Sequence, residues 1–367
     1  MATNSHTSAR VTGRTGPSTS PKGGTAIPLL IAVLLLAALL TSIVLAVGLG
    51  PSSAGPNEAI RILINRLTPW SPSMEEISPG TRTIVWQLRT PRVLLGAITG
   101  AGLATVGVVI QAILRNPIAD PYIIGVSSGA ALGAVSVIVL AGGALGSFGT
   151  AIGAFAGACI AFATVFIFAW RGGLLNPLRL VLAGVAIAAM LSSFTTFVVL
   201  YGGDDRIRGA LHWTMGSFTA ARWQHVAIST PIVLVALGWF MLQGRTLNAL
   251  AYGEETAITL GIRVNRIRLL AIILCALVTG VLVSMSGPIG FVALILPHIT
   301  RLIVGGDHRK VLPIAAITGA CFVIWADVVA RMLIPPTELP IGVITAAIGA
   351  PIFLILLPAR TQLGNTQ

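Results

Sequence analysis

The chain has 367 residues, 55% of them hydrophobic and only 9% charged, with a formal net charge of +12. A soluble globular domain carries about 25% charged residues, so this composition excludes an ordinary water-soluble fold. Almost all of the positive charge is arginine, Lys22 and Lys310 being the two lysines. In so apolar a chain it reads as loop charge that sets membrane orientation rather than as a nucleic-acid surface.

Residues 1–25 are rich in Ser, Thr and Gly, carry Arg10, Arg14 and Lys22 and no acid, and read as a disordered cytoplasmic tail. The apolar run 26–49 is too long for a signal-peptide core and is expected to remain as the first span. In the outer segment 50–91, "NEAIRILINRL" sets Ile60, Leu63, Ile64 and Leu67 at helical spacing. That fits an interfacial helix or a loop helix packed on the bundle. Spans of about 20 apolar residues follow at 93–114, twice between Asp120 and Arg171 about the turn "AGGALGSFGT", and at 180–201 and 226–243. Residues 269–300 hold two more, divided by "SGPIG", and 311–332 and 339–358 complete the series. The alternation of a membrane barrel is absent.

The expected fold is therefore all-α, with ten transmembrane helices over a permease domain 26–358 and a short tail 359–367. With both termini cytoplasmic, fourteen Lys and Arg fall on inner segments and nine on outer ones, the bias the positive-inside rule predicts. Cys159, Cys275 and Cys321 each lie in an apolar run and read as small hydrophobes, with no metal-ligand spacing. Glycines at spacing four in "GAITG", "GAALG" and "GTAIGAFAG" predict close helix contacts. "RVLLGAITGAGLATVGVV" (92–109) and "RLLAIILCALVTGVLVSM" (268–285) both open on Arg and run to a Gly/Pro break. They are separated by five spans, as in inverted five-helix repeats, and broken segments in matching places point to a transporter.

The insert "RNPIADPYIIGVSSGA" (115–130) carries Arg115, Asp120 and two prolines between apolar runs. Such residues are costly in lipid and cheap in a loop. Pro117 and Pro121 stop and restart helices, leaving Ser127 and Ser128 at the start of the third span. The insert reads either as a hinge lining a pathway or as a rigid turn.

These residues also carry a resemblance. "LRTPRVLLG", "ILRNPIADPYIIGVSSGAALGA", "LAGVAI", "HWTMGSF", "LNALAYGEETAITLGI", "GPIGFVALILPHITRL", "GGDHRKVLPIAAITGA", "ADVVAR" and "ELPIGVITAAIGAPIFLILL" run in order from about residue 82 to 358. They resemble the permease subunits of the ABC importers for iron-siderophores, haem and cobalamin. The resemblance implies a bacterial cell-membrane protein, paired with itself or a similar permease, with two ATPases inside and a substrate-binding lipoprotein outside. No cofactor or nucleic-acid partner is implied. In agreement, no Gly-x-x-x-x-Gly-Lys-Ser/Thr exists, since Lys22 precedes Gly and Lys310 precedes Val. The ATP must be hydrolysed elsewhere.

The resemblance assigns residues as well. The coupling loop 246–265, within "LNALAYGEETAITLGIRVNRIR", contributes Gly253, Glu254, Glu255, Leu260 and Gly261 to contact with the ATPase. Its own pattern suggests that Leu250, Ala257 and Leu260 share one face. Arg89, Arg92 and Arg331 match arginines that pair with acids of the binding protein, and Asp327 and Arg331 sit one helical turn apart. A cytoplasmic gate is expected at Asn116 and Ile118 and at Leu178 and Leu182. There "NPLRLVLAG" replaces the hydroxyl residues of some relatives and favours an apolar plug. His298 reads as a hydrogen-bonded bundle residue rather than a haem ligand. The expected cargo is an iron(III)-siderophore, with haem or cobalamin as alternatives. An ion-coupled secondary transporter would need midplane ionisable groups, for which Asp327 and His298 are the few candidates. An intramembrane enzyme would need a catalytic constellation, and none is recognisable.

Overall fold

A computed structural model describes residues 26–50, 55–68, 74–142, 146–171 and 174–356. The two tails expected at 1–25 and 359–367 lie outside the described residues. The chain forms α1 (Ala26–Gly48), α2 (Pro56–Leu67), α3 (Pro79–Thr83), α4 (Thr90–Leu114), α5 (Val126–Leu140), α6 (Gly146–Ala169), α7 (Pro177–Leu200), α8 (Asp204–Thr214) and α9 (Trp223–Leu242). It continues through α10 (Gly244–Tyr252), α11 (Glu254–Thr259), α12 (Val264–Ser286), α13 (Val292–Val304), α14 (His308–Met332) and α15 (Ile341–Leu356). A two-residue antiparallel pairing, Trp170–Arg171 with Leu174–Leu175, links α6 to α7. Among the described residues, seven helical segments are long and apolar enough to cross a membrane, and α5, α13 and α15 are shorter apolar helices.

Contacts sort the connections to two ends of the bundle. At one end Arg301 of α13 donates to Gln111 of α4 (2.7 Å), Arg268 of α12 to Glu254 (2.9 Å) and Asn248 of α10 to Asp307 (2.8 Å). At the other, Arg89 reaches the Val47 and Gly48 carbonyls, Trp223 donates to the Trp86 carbonyl and Ser217 N–H to Ser286 O. We call these the α10 end and the α2 end.

The second span begins earlier than 93. Ser78 Oγ accepts from Thr81 N–H (3.1 Å) and Pro79 stands at the first turn, a strong start signal. From there the backbone stays helical through a π-helical stretch, Ile84–Arg89, into α4. α2 settles the choice left open by its pattern. It buries Ala59, Ile62 and Leu63 against Ala46, Val47 and Ile77 and leaves Leu67 outside, so it is packed on the bundle. That face is offset from the one read from Ile60, Ile64 and Leu67.

α4 is the core helix, buried along nearly its whole length. Its glycines, Gly100 and Gly107 among them, stand where neighbouring backbones come closest. A Cβ on Gly100 would stand 2.1 Å from the Gly319 carbonyl oxygen of α14, and one on Gly129 of α5 2.3 Å from that of Gly157 in α6. Small residues here let backbones touch, the usual route to tight packing in lipid, where no hydrophobic force drives helices together. Of the cysteines, Cys275 is buried, whereas Cys159 is exposed on α6.

α5 and α13, of 15 and 13 residues, span only about 20 Å at 1.5 Å per residue. The hydrocarbon layer is about 30 Å. Both are short because the chain before them dips into the bundle. Asp120 caps a 3-10 turn, Pro121–Ile124, by accepting from Tyr122 N–H (2.8 Å). Tyr122 Oη then accepts from Ile289 N–H (2.8 Å) and donates to Ile289 O (3.0 Å). The two breaks foreseen in "RNPIADPYIIG" and "SGPIG" thus meet, one following α4 and the other following α12.

Candidate functional site

Two surfaces have the makings of function, a wall beside α7 and a face at the α10 end. α7 is covered on a single stripe, where Leu180 and Gly184 are buried. Its remaining surface is open, including Val185, Phe194 and Leu200. Between α5, α7 and α8 lies a cavity of about 390 Å³ lined by Ser127, Ser128, Ser192, Thr195, Thr196 and Thr214, with no charged side chain among its walls. Thr195, Thr196 and Thr214 spend their protons on helix carbonyls of Leu191, Ser192 and Leu211. Their oxygens remain free to accept. The wall is thus uncharged and acceptor-rich, suited to a bulky solute that slides past rather than one held by an ion pair.

At the α10 end of α7, Asn176 caps the helix by accepting from Leu178 and Arg179 N–H groups. Leu178 and Leu182 stand one turn apart and are 67% and 60% exposed. Ile118 and Asn116 are also exposed, and Asn116 Oδ1 accepts from Ile118 N–H (3.0 Å). The four residues expected at a gate therefore sit at one end of the bundle, three as apolar surface and one as a turn-former.

The face at the same end is built from α10 and α11. Gly253 joins them at φ 143°, ψ 155°, a conformation that favours glycine. Ala249, Leu250, Ala257 and Val264 bury together under this pair. Tyr252, Ile258 and Leu260 are left bare, Tyr252 at 86% exposure. The expectation that Leu250, Ala257 and Leu260 share a face is corrected here. α11 ends at Thr259, so Leu260 is no longer on the helical stripe that buries Ala257. Glu254 is pinned by Arg268 (2.9 Å), whose other arm reaches the Leu175 carbonyl (3.3 Å); Glu255 faces out, and Gly261 turns the chain at φ 76°.

The pair is anchored to α14. Asn248 donates to Asp307 (2.8 Å) and accepts from His308 N–H (2.8 Å). Hydrogen bonds from Arg309, and then from Asn248, hold the Asp307 carboxyl well below the usual carboxylate range. A separate tie at this end joins α4 to α13. Pro297 lacks the N–H that would bond Ala293 O, and Gln111 Nε2 donates to that carbonyl (3.3 Å) and to Leu294 O (3.2 Å) while accepting from Arg301. Sequence reading missed Gln111, Tyr122, Asn248 and Asp307. The one local signal for Gln111 was the unpaired carbonyl four residues before Pro297.

The three arginines expected at a docking rim lie at the α2 end beneath the surface. Arg89 is 5% exposed and donates to Val47 and Gly48 carbonyls; Arg331 is 2% exposed and donates to Ala46 O (2.6 Å). Together they satisfy the open C-terminus of α1. Arg92 makes a bidentate bond to Asp327 and a second pair with Glu338 (2.9 Å). Asp327 stands 3.7 Å from Arg331. Burial works to raise the Glu338 carboxyl, but Arg92, the Thr219 hydroxyl and Arg331 outweigh it and hold it below the ordinary range. In this conformation all three guanidinium groups are occupied within the chain. Among the described residues no group of three or more His, Cys, Asp or Glu stands together as a metal site.

Known proteins share this architecture. The profile of the FecCD transport family matches residues 34–358. The cobalamin import system permease protein BtuC of Halobacterium salinarum is 43% identical over 324 residues, 86% of this chain and 86% of its own length. The hemin transport system permease protein HmuU of Yersinia pestis is 38% identical over 283 residues, 76% of this chain and 84% of its own. A solved structure described as an inward-facing conformation of an ABC transporter assigned to the metal-chelate type superposes with a TM-score of 0.77 at 30% identity. It covers 90% of this chain and 99% of its own.

Proposed function

The chain belongs to the FecCD transport family and is a membrane-embedded permease subunit of an ABC importer, not an enzyme. From that premise we propose that all ten apolar helices cross the membrane, with the α10 end in the cytoplasm and the α2 end outside. The permease domain is then 26–358, and the distribution of Lys and Arg supports this orientation. A second permease covers the open face of α7, so that two hydroxyl-lined half-cavities close into one pathway. Leu178, Leu182 and Ile118 form its apolar cytoplasmic plug, held in place by the Asn116 turn.

ABC ATPases dock on α10–α11 through Tyr252, Ile258 and Leu260, with Glu255 at the edge. Gly253, Gly261 and the Glu254–Arg268 pair hold that shape. A binding lipoprotein docks at the α2 end. Arg89, Arg92 and Arg331 take part there only when the buried network opens; closed, they brace α1, α4 and α14. The location is the bacterial cell membrane.

The cargo we propose is a large metal chelate. An iron(III)-siderophore is the reading carried by the family's commonest substrate class. A corrinoid or haem is the second reading, favoured by the relatives named for cobalamin and hemin. The observation that carries the chelate class is the uncharged, acceptor-rich wall of Ser127, Ser128, Ser192, Thr195, Thr196 and Thr214. The test is competitive uptake into vesicles holding the complete transporter, offered labelled ferric siderophore, cyanocobalamin and hemin together. Uptake of one of the three supports the chelate class and names the cargo. Uptake of none, with a free ion or small organic acid imported instead, refutes it.

A further inference from the structure

Two cavities near the α2 end share Ala151, Ser284 and Met285 and form one slot with unlike ends. The end part, about 470 Å³, is lined by His212, Trp213, Ser217, Thr219, His225 and Ser286. The deeper part, about 290 Å³, runs between α6, α9 and α12 along Ile152, Phe155, Ile228, Ile232, Leu277 and Val281, a hydrocarbon channel. Along α6 it extends from Phe148 to Phe155, two turns and about 12 Å of helix.

The polar part is not satisfied by the chain itself. His225 is 3% exposed, and its Nδ1 has no hydrogen-bond partner among the described residues. A buried polar atom left so is costly. The nearby hydroxyls cannot serve it as donors. Ser284 donates to Val281 O, Ser286 to Leu282 and Gly287 carbonyls, and Thr219 to Glu338. The slot therefore offers imidazole donors and hydroxyl acceptors at one end and hydrocarbon at the other.

The slot is not the pathway. α8 turns Ala210, Leu211 and Thr214 to the hydroxyl cavity but Gly209, His212 and Trp213 to this one. Its polar end lies level with helix ends, at the start of α6 and α9 and the finish of α12. Its deep end opens between exposed apolar side chains, Ile152 at 57% and Ile228 at 37% exposure. An amphiphile already present at that depth is a membrane lipid.

We propose that this slot holds one phospholipid of the leaflet at the α2 end. Its phosphate accepts from His212 and His225, and one acyl chain lies between α6, α9 and α12. The occupant would brace α8 from the side away from the pathway. The test uses the full chain in its assembled transporter, stripped of lipid in detergent and titrated by native mass spectrometry with phosphatidylethanolamine or with soluble glycerophosphoethanolamine. One lipid is expected per copy of this chain, with affinity at least fivefold weaker in His225→Asn and in Ile228→Trp, and no binding of the soluble head group at matching concentration. His212→Asn, at an exposed position, gives the same readout should His225→Asn fail to fold. Retention unchanged in His212→Asn and Ile228→Trp overturns the proposal. So does equal binding of the soluble head group, which would make this a polar-solute site. Dissociation of the paired permeases by Ile228→Trp would mark the groove as a subunit face and also overturns it.

Discussion

Asp327 is the residue on which the α2 end depends most. Its carboxylate, 4% exposed, faces Arg92 and Arg331, the latter 2% exposed. Removing one member of a buried ion pair leaves uncompensated charge and costs about 3–5 kcal/mol. Arg92 retains Glu338, so Asp327→Asn is expected near the lower end, about 3 kcal/mol, read as a lowered unfolding temperature in detergent. Glu76, 80% exposed beside Arg61, is the control; Glu76→Gln should change stability by under about 1 kcal/mol. Asp307 gives a pH test. Its folded value is depressed by Arg309 and Asn248. Its contribution is therefore complete above the unfolded carboxylate value of about 3.9 and fades only as pH falls through the lower folded value. Asp307→Asn should be less stable than the parent by a constant margin from about pH 6 to 8, the two converging only below about pH 4. A margin that varies between pH 6 and 8 would contradict this assignment.

At the scale of elements, the central feature is the meeting of two interrupted helices. Tyr122 joins them through both backbone groups of Ile289. Tyr122→Phe should lower stability by about 1–2 kcal/mol, because Ile289 N–H and C=O lose their partner inside the bundle. It should also slow transport more than a comparably destabilising buried change away from the breaks, such as Ile62→Val. Equal effects would make the contact mere packing. Sequence carried much at this scale. Charge-free runs located the apolar helices to within a few residues at most ends, and Pro and Gly located both breaks. It did not carry what depends on long-range pairing. Nothing local says that Tyr122 will find Ile289, that Gln111 will answer the carbonyl freed by Pro297, or that Arg89 and Arg331 will turn inward to α1. The second span starts well before its charge-free run because the Ser78–Pro79 start signal begins a helix that continues past Arg82, Arg89 and Arg92.

For the whole molecule, the architecture divides labour between a rigid frame and two working surfaces. α4, α12 and α14 form a closely packed frame, with α4 touching α14 through glycine. α7 has much of one side bare, and α10–α11 present aromatic and aliphatic side chains to solvent at the end where Asn248 and Asp307 tie them to α14. A push on α10–α11 is thereby connected to α14 and, through α12 and Arg268, to the start of α7. The chain lacks a phosphate-binding loop, so on this account it moves cargo only when another protein does the pushing. The most direct measurement is uptake of labelled metal chelate into sealed proteoliposomes. The account predicts no accumulation above the external concentration with the chain alone, under any proton or sodium gradient. It predicts accumulation once the cognate ATPase and ATP are enclosed, lost again in Leu260→Asp. Uphill uptake by the chain alone would contradict it.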